Sequence, residues 1–372
     1  MTARTPQRSL RDWFPTAPAA WALGPRSRNH VAGQLNLKSC ELLHPAVARW
    51  HADQLGRLAP AAVVEYPLTG PARDAVAAHF GQDPARVLLT PGSDHAISLV
   101  CEALAAPAGR LVVARPHFDS WSRCAARLGF RLDGVDMPHR APMDTAALTE
   151  RLLSGPPAVL VLTQPDSITG QLCTREQLLR AVLAAHRHGS VVVVDTCYLA
   201  YADDGEATVQ GLEEWDNVLR INSFSKSHGL AGARVGAVLA QPSVVDYLSR
   251  WAPDSMLSHV SLALLERALA EPEVFRTARA EVRAARAELT RDVERLLPLW
   301  SARPTQANFA AFDAEPDDAA RVHKALLADG IRTRLLTGEP GFSGGLRVAT
   351  PSLAAVRRVT GVLAALAATT RS

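Results

Sequence analysis

Lysine is almost missing from this sequence. Only Lys38, Lys226 and Lys324 occur, although lysine and arginine together number 40. Arginine does the routine surface work here, so a lysine in an unusual setting stands out. No run of about 18 apolar residues is present, which excludes a membrane-spanning helix. Basic runs are absent too: the net charge of +3 arises from intermixed signs, without the clustered footprint of a nucleic-acid binder. The cysteines, at positions 40, 101, 124, 173 and 197, are odd in number and lack CxxC spacing. That argues against a disulfide framework and a zinc site and predicts reduced, mostly buried thiols. There is no metal-ligand spacing, internal repeat or low-complexity tail. The opening MTARTPQRSLRDWFPTAP carries arginines but no uninterrupted apolar core, so the chain reads as cytoplasmic, neither secreted nor membrane-bound.

What is there is enough apolar material for a sizeable core: 48% of 372 residues, a length suited to two or three domains. Between about residues 70 and 240, short apolar runs alternate with helical patterns. RVLLT (86–90) precedes SDHAISLVCEALAA, RLVVA (110–114) precedes DSWSRCAARLG, and AVLVLT (158–163) precedes REQLLRAVLAAHRHG; VVVVD (191–195), NVLRINSF (217–224) and VGAVLA (235–240) complete the series. Continuous β-branched runs joined by helices predict a doubly wound α/β sheet buried on both faces, with ligands at the carboxyl ends of its strands. After Gln241 a helical apolar period extends over several turns, predicting a long connector, and ANFAAFD, GIRTRLL and GGLRVAT suggest a smaller α/β lobe. The expected division is an amino-terminal segment, 1–50, joining the small domain; a large domain, 51–255; and a small domain, 256–372, opened by the connecting helix.

Lys226 lies in INSFSKSHGLAGARVG, after a strand and before a glycine-rich turn. Lys324, in a helical pattern, and Lys38 read as solvated. An amine used for chemistry usually forms a Schiff base, and pyridoxal phosphate needs in addition a carboxylate at its ring nitrogen, anion donors and a stacking group. Asp195 ends the most hydrophobic strand, where an unpaired carboxylate is costly; a protonated pyridine would satisfy it, as would an arginine or a role as a helix cap. Tyr198, three residues on, is placed to reach a ring hydroxyl or simply to pack. PGSDHAIS (91–98) is a strand-to-helix turn able to hold phosphate, with Ser93 a donor or a plain cap. Ser223, Ser225 and Arg234 surround the lysine. Phe118, just past a strand end, is a stacking ring or a core aromatic.

In this order, the pieces resemble fold-type I pyridoxal-phosphate enzymes of the class I/II aminotransferase superfamily, in the histidinol-phosphate aminotransferase-like branch. QLNLKSCE (34–41), EYP (65–67), PGSDHAI, RPHFDSW, VVVVDTCY, NSFSKSHGLAGARVG, RPTQANFAAF and GGLRVATP carry the likeness. The resemblance implies a large domain with a mixed, mostly parallel seven-stranded sheet between helices, plus a smaller α/β domain. It implies that Lys226 is the Schiff-base residue, Asp195 the pyridine partner, Tyr198 the ring-hydroxyl donor and Phe118 the stacking ring. Ser93, Asp94, His95, Ser223, Ser225 and Arg234 belong to the phosphate turn and its surroundings, and Ser167 stands beside the ring. Arg347 and Glu41 face the substrate, with Tyr66 arriving from the second subunit of a homodimer with shared sites.

The chain departs from the family where QPDSITG (164–170) replaces Asn-Pro-Asn-Asn-Pro-Thr-Gly: Ser167 takes the place of an asparagine and Ile168 that of a proline. His95 replaces a glutamate, and Cys40 and Leu42 flank Glu41 where asparagines usually stand. The expected activity is an aminotransferase moving an amino group from an amino acid or derived amine to a 2-oxo acid. The alternative is a pyridoxal-phosphate oxidase, decarboxylase, or elimination, replacement or cyclisation enzyme. A regulator of the same fold would need a helix-turn-helix ahead of it, and a dinucleotide protein a GxGxxG turn; neither pattern is found. His228, His259, Trp121, Arg332 and Arg334 are candidates for a selective pocket, read more simply as structural or solvent-facing.

Overall fold

The computed structural model describes residues 31–137, 143–253 and 255–371. Part of the expected amino-terminal segment, residues 1–30, lies outside them. The large lobe is built on seven strands, in the spatial order Val87–Thr90, Gly236–Leu239, Val218–Ser223, Val191–Asp195, Val159–Thr163, Arg110–Arg115, Arg131–Asp136. Gly236–Leu239 runs antiparallel to both neighbours and the remaining pairs are parallel. The valine-rich central strands are buried on both faces, as their unbroken apolar runs require.

One strand went unread. Arg131–Asp136 sits at the sheet edge and spells RLDGVD, without a continuous apolar run. Its Asp133 is buried through an ion pair, Arg110 Nε to Oδ2 at 2.5 Å, rather than through apolar contact. The expected single connector is two helices, His259–Ala270 and Pro272–Leu296. Pro272 has no N–H to donate and starts the second one after Glu271.

The second helix is shared between two apolar clusters. Phe275, Ala278 and Val282 pack with Leu42, Val47, Leu262 and Leu265 beside the large sheet. Ala285, Leu289 and Val293 pack with the small lobe. That lobe carries a four-stranded antiparallel sheet, in the order Arg334–Leu335, Gly345–Ala349, Phe309–Asp313, Ser301–Arg303, with the helices Pro316–Ala328 and Leu353–Arg371. Leu35–Asn36 pairs with Ile331–Arg332 in parallel, so the chain before the large lobe joins the small one. Among the described residues no helix is long and apolar enough to cross a membrane, and all five cysteines are free and buried.

Candidate active site

Parallel register brings the strand ends level, Thr163 opposite Asp195 and Asp195 opposite Ile221, and there a cavity of about 520 Å³ opens between the lobes. A groove of about 720 Å³ also exists, but it lies between the helices Thr145–Leu153 and Arg175–Arg187, away from the strand ends.

Lys226 sits in the four-residue helix Phe224–Ser227, which directly follows Val218–Ser223. Ser223 Oγ caps this helix, accepting from Ser225 N at 3.3 Å. Tyr201 Oη donates to Lys226 O at 2.8 Å, and Arg279 Nη1 to Ser227 O at 3.1 Å, so the turn is held from behind. The Lys226 amine donates to Ser39 O at 2.5 Å.

Asp195 is 3% exposed. Its Oδ1 accepts from Cys197 N at 3.1 Å. Among the described residues it has no ion-pair partner, and it caps no helix, so neither plain alternative accounts for it. Burial raises the carboxyl's pKa above its ordinary value, and the charges of Asp94 and Asp166 raise it further. Tyr198 is buried edge-on against Phe309, their ring centres 5.7 Å apart, and burial pushes its phenol upward. The half-buried Phe118 lines the cavity just before the helix Asp119–Leu128.

The opposite end is an anion cradle. The helix Gly92–Ala108 begins there with Ser93 and Asp94 in its first turn, presenting N–H groups that have no acceptor within the helix and the positive end of its dipole. Arg234, at the left-handed φ of 55°, aims its guanidinium at the same point: Nη1 is 3.5 Å from Ser225 Oγ and Nη2 3.5 Å from Asp94. Ser223 Oγ and Ser225 Oγ are 2.9 Å apart. Gly92 is required, since a Cβ would stand 2.7 Å from Arg234 Nη2 at a φ of +75°. Gly236 lets the turn approach, for its Cβ would lie 2.6 Å from Asn222 O.

The small lobe supplies the third wall. Arg347 donates through Nη1 to Ser167 O and through Nη2 to Lys38 O at 2.7 Å, with its guanidinium 5.0 Å from the Phe309 ring centre. Glu41 lines the cavity and accepts from Asn36 Nδ2 at 3.2 Å.

Of the residues selected from the sequence, twelve meet at this cavity: Glu41, Ser93, Asp94, Phe118, Ser167, Asp195, Tyr198, Ser223, Ser225, Lys226, Arg234 and Arg347. His95 is half-buried on the same helix but outside the lining, with burial lowering its pKa. Tyr66 is 86% exposed and lies outside the cavity lining. Lys38, read as solvated, lines the cavity, as do Arg332 and Arg334, named as candidates for a selective pocket and read more simply as structural or solvent-facing. Arg334 pairs with Glu339 at 2.6 Å and approaches Asp119 to 4.0 Å. The i, i+2 spacing of Arg332 and Arg334 in GIRTRLL was the available signal, since it sets two side chains on one face of an extended segment. Cys197, also in the lining, carried none. His228 packs among the rings of Phe224 and Phe275, Trp121 is fully buried, and His259 starts a helix.

The family model for aminotransferase class I and II matches residues 34–361. A histidinol-phosphate aminotransferase of Chromobacterium violaceum is 31% identical over 315 residues, spanning 83% of this chain and 86% of that protein. Among solved structures, the histidinol-phosphate aminotransferase of Sinorhizobium meliloti in complex with pyridoxal-5'-phosphate superposes with a TM-score of 0.78 at 21% identity, covering 99% of each chain. The L-threonine-O-3-phosphate decarboxylase of Porphyromonas gingivalis gives 0.73 at 17% identity, over 89% of this chain and 99% of that one. The fold therefore accommodates more than one reaction, whereas the family match and the 31% identity concern aminotransferases. With the model matched over most of its length, the chain belongs to the aminotransferase class I and II family.

Proposed function

We propose that Lys226 is the covalent attachment point for the pyridoxal phosphate of this aminotransferase and that Asp195 pairs with the cofactor's ring nitrogen. The observation that carries this reading is the buried Asp195 carboxylate, without a cationic partner among the described residues, in the same cavity as the Lys226 amine. A protonated pyridine supplies the missing cation. The cradle of Arg234, Ser223, Ser225 and the Gly92–Ala108 helix start fits a phosphate dianion, Phe118 gives the ring a stacking face, and Tyr198 its phenol.

When bound, the cofactor supplies an electron sink that stabilises negative charge at the substrate's α-carbon. Lys226 Nζ, once the substrate's amine has replaced it on the cofactor, would take the α-proton as general base and return it as general acid. Asp195 keeps the ring nitrogen protonated, and Arg347 orients the substrate through an anionic group. An amino acid or an amine derived from one fits these demands, and the 31% identity to a protein named for histidinol phosphate makes that compound a substrate to try. An oxo acid accepts the amino group in the second half-reaction.

A homodimer fits the exposed stretch in which Val63, Val64, Tyr66 and Leu68 are 79%, 78%, 86% and 79% exposed. Apolar surface so concentrated calls for a partner, and Tyr66 on it is placed to enter the cavity of a second copy. Buried free thiols fit the cytoplasm. The large domain, on this reading, extends into the helix Pro272–Leu296, with the boundary between Val282 and Ala285.

The test is spectroscopic. Purified protein should show a cofactor absorbance that borohydride bleaches, and Lys226→Ala should lack it. An identical spectrum from that variant overturns the assignment. Single-turnover mixing with amino acids and histidinol phosphate should then convert the cofactor to its amine form.

A further inference from the structure

Two of the five buried thiols face each other. Cys101 stands on the helix Gly92–Ala108 and Cys124 on Asp119–Leu128, the next helix in the chain. The two helices pack together, and both cysteines belong to one apolar cluster with Ile97, Val100, Trp121 and Ala125. Their side chains hydrogen-bond, thiol to thiol. Ser98, one turn before Cys101 and so on the same helix face, puts its Oγ 3.6 Å from Cys124 Sγ. Arg127, one turn after Cys124, closes the group: Nη2 donates to Ser98 Oγ at 3.1 Å and to Glu102 Oε1 at 2.7 Å. Neither thiol lines the cavity at the strand ends.

The surroundings separate the two sulfurs chemically. Donation from the Cys101 thiol lowers the Cys124 pKa to about 7, and the Ser98 hydroxyl and the Arg127 charge lower it further against the opposing effect of burial. The same bond, with burial, moves Cys101 upward. At the other shifted thiols burial dominates: it pushes Cys173 up to about 12 and raises Cys197. A thiolate is the form that attacks an oxidant, and hydrogen-bond donors and a nearby cation favour it. Cys124 has both. It is 5% exposed, behind the half-buried Ser98 and the exposed Arg127, while Cys101 is 2% exposed and lies deeper. One sulfur is set to react first, and the other already touches it.

We propose that Cys101 and Cys124 form an oxidation site: a hydroperoxide converts Cys124 to a sulfenic acid, and Cys101 resolves it to a disulfide. In the first step the Cys124 thiolate attacks the terminal peroxide oxygen, so that an S–O bond forms, the O–O bond breaks and the alkoxide leaves as an alcohol, or as water from hydrogen peroxide. In the second the Cys101 sulfur attacks Cys124 Sγ, an S–S bond forms, the S–O bond breaks, and hydroxide leaves as water with the Cys101 proton. The two thiols together lose two electrons and the hydroperoxide gains two. Closing hydrogen-bonded sulfurs to a bond of about 2.05 Å needs only a small approach of the two helices. Both helices start at the cavity: Ser93 and Asp94 open one, Phe118 directly precedes the other, and Ser120 Oγ donates to Asp94 Oδ1 between them. The disulfide would thus cross-link the two elements that carry these residues.

The experiment treats native holoenzyme with hydrogen peroxide or tert-butyl hydroperoxide at pH 7, in wild type, Cys101→Ser and Cys124→Ser, then unfolds it, counts thiols and maps the peptides by mass spectrometry. Serine keeps a hydroxyl bonded to the remaining thiol. Wild type should lose two of its five thiols and regain them with dithiothreitol, and the peptides bearing Cys101 and Cys124 should appear joined and two hydrogens lighter. Cys101→Ser should stop at a sulfenic acid on Cys124, trapped by dimedone. Cys124→Ser should keep its remaining thiols at least about tenfold longer, because those are protonated at this pH. A disulfide that joins other cysteines overturns the proposal. So does Cys173 reacting while Cys101 and Cys124 stay free, or Cys124 advancing to the sulfinic acid in wild type with Cys101 unreacted. Should a serine variant fail to fold, the wild-type peptide map decides by itself.

Discussion

Replacing Asp195 by asparagine should help the cofactor-free protein and harm the loaded one. The carboxyl is 3% exposed, accepts from Cys197 N at 3.1 Å and lies in the field of Asp94 and Asp166. An uncompensated buried polar group of this kind costs about 1–3 kcal/mol, and asparagine keeps the shape while removing the charge. The stripped Asp195→Asn protein should therefore be more stable than stripped wild type by about that amount at pH 7. In the loaded protein the same change removes a hydrogen bond to a charged group, worth about 1.5–3 kcal/mol, so cofactor affinity should fall roughly 10- to 150-fold.

The pH dependence has a definite sign. Burial holds the carboxyl above its ordinary value of 3.8, so from 3.8 up to its folded value the folded state binds a proton that the unfolded state does not. Wild-type stability contributed by this group falls as pH rises through that window and is level above it. The advantage of asparagine should thus be absent below 3.8, grow through the window and then plateau. Thermal unfolding of hydroxylamine-stripped protein across pH, with cofactor titration at pH 7, measures both effects. A stripped variant no more stable than wild type at any pH, with undiminished cofactor affinity, would refute the reasoning.

Gly92→Ala places a methyl 2.7 Å from Arg234 Nη2 at a φ of +75°; with about 1–3 kcal/mol of backbone strain and a displaced guanidinium, cofactor affinity measured by equilibrium dialysis should fall at least about tenfold. Tyr66→Ala and Lys226→Ala homodimers should each be nearly inactive, but mixing them after subunit exchange should restore roughly a quarter of wild-type activity, because half the dimers are mixed and each of these has one intact site. Mixtures that stay inactive would leave Tyr66 without a role across the interface.

Six strands of the large sheet were legible because central parallel strands must be apolar on both faces, and runs such as VVVVD meet that demand in no other way. Arg131–Asp136 was not, because an edge strand needs only one covered face, and its Asp133 is buried by Arg110. Lys226, Asp195 and Arg234 were legible for a related reason: each follows, ends or leads into a readable strand, so chain position alone brings them to one edge. Lys38, Arg332 and Arg334 come to the cavity from the small lobe and its Leu35–Asn36 strand. Beyond the i, i+2 spacing of Arg332 and Arg334, no local pattern tells an arginine that meets another lobe from one that meets water.

That difference in origin divides the work of the site. The anion cradle and the Asp195 carboxylate stand on neighbouring elements of one rigid sheet, tied by the register of Val191–Asp195 with Val218–Ser223. The opposing wall, Arg347 with Arg334, stands on the small lobe, whose bonds to the large one include Arg347 to Ser167 O, Gln306 N to Gly170 O, Gln306 Nε2 to Asp203 at 3.4 Å, and Arg334 toward Asp119 at 4.0 Å. Two of these links end in the 166–170 loop, where Ser167 and Ile168 stand in place of the asparagine and proline usual in the family. These positions lie apart from the cradle, where the small lobe meets the cavity. The departures at Ser167 and Ile168 therefore stand where the small lobe meets the cavity, apart from the Arg234 guanidinium and the Asp195 carboxylate on the sheet behind it.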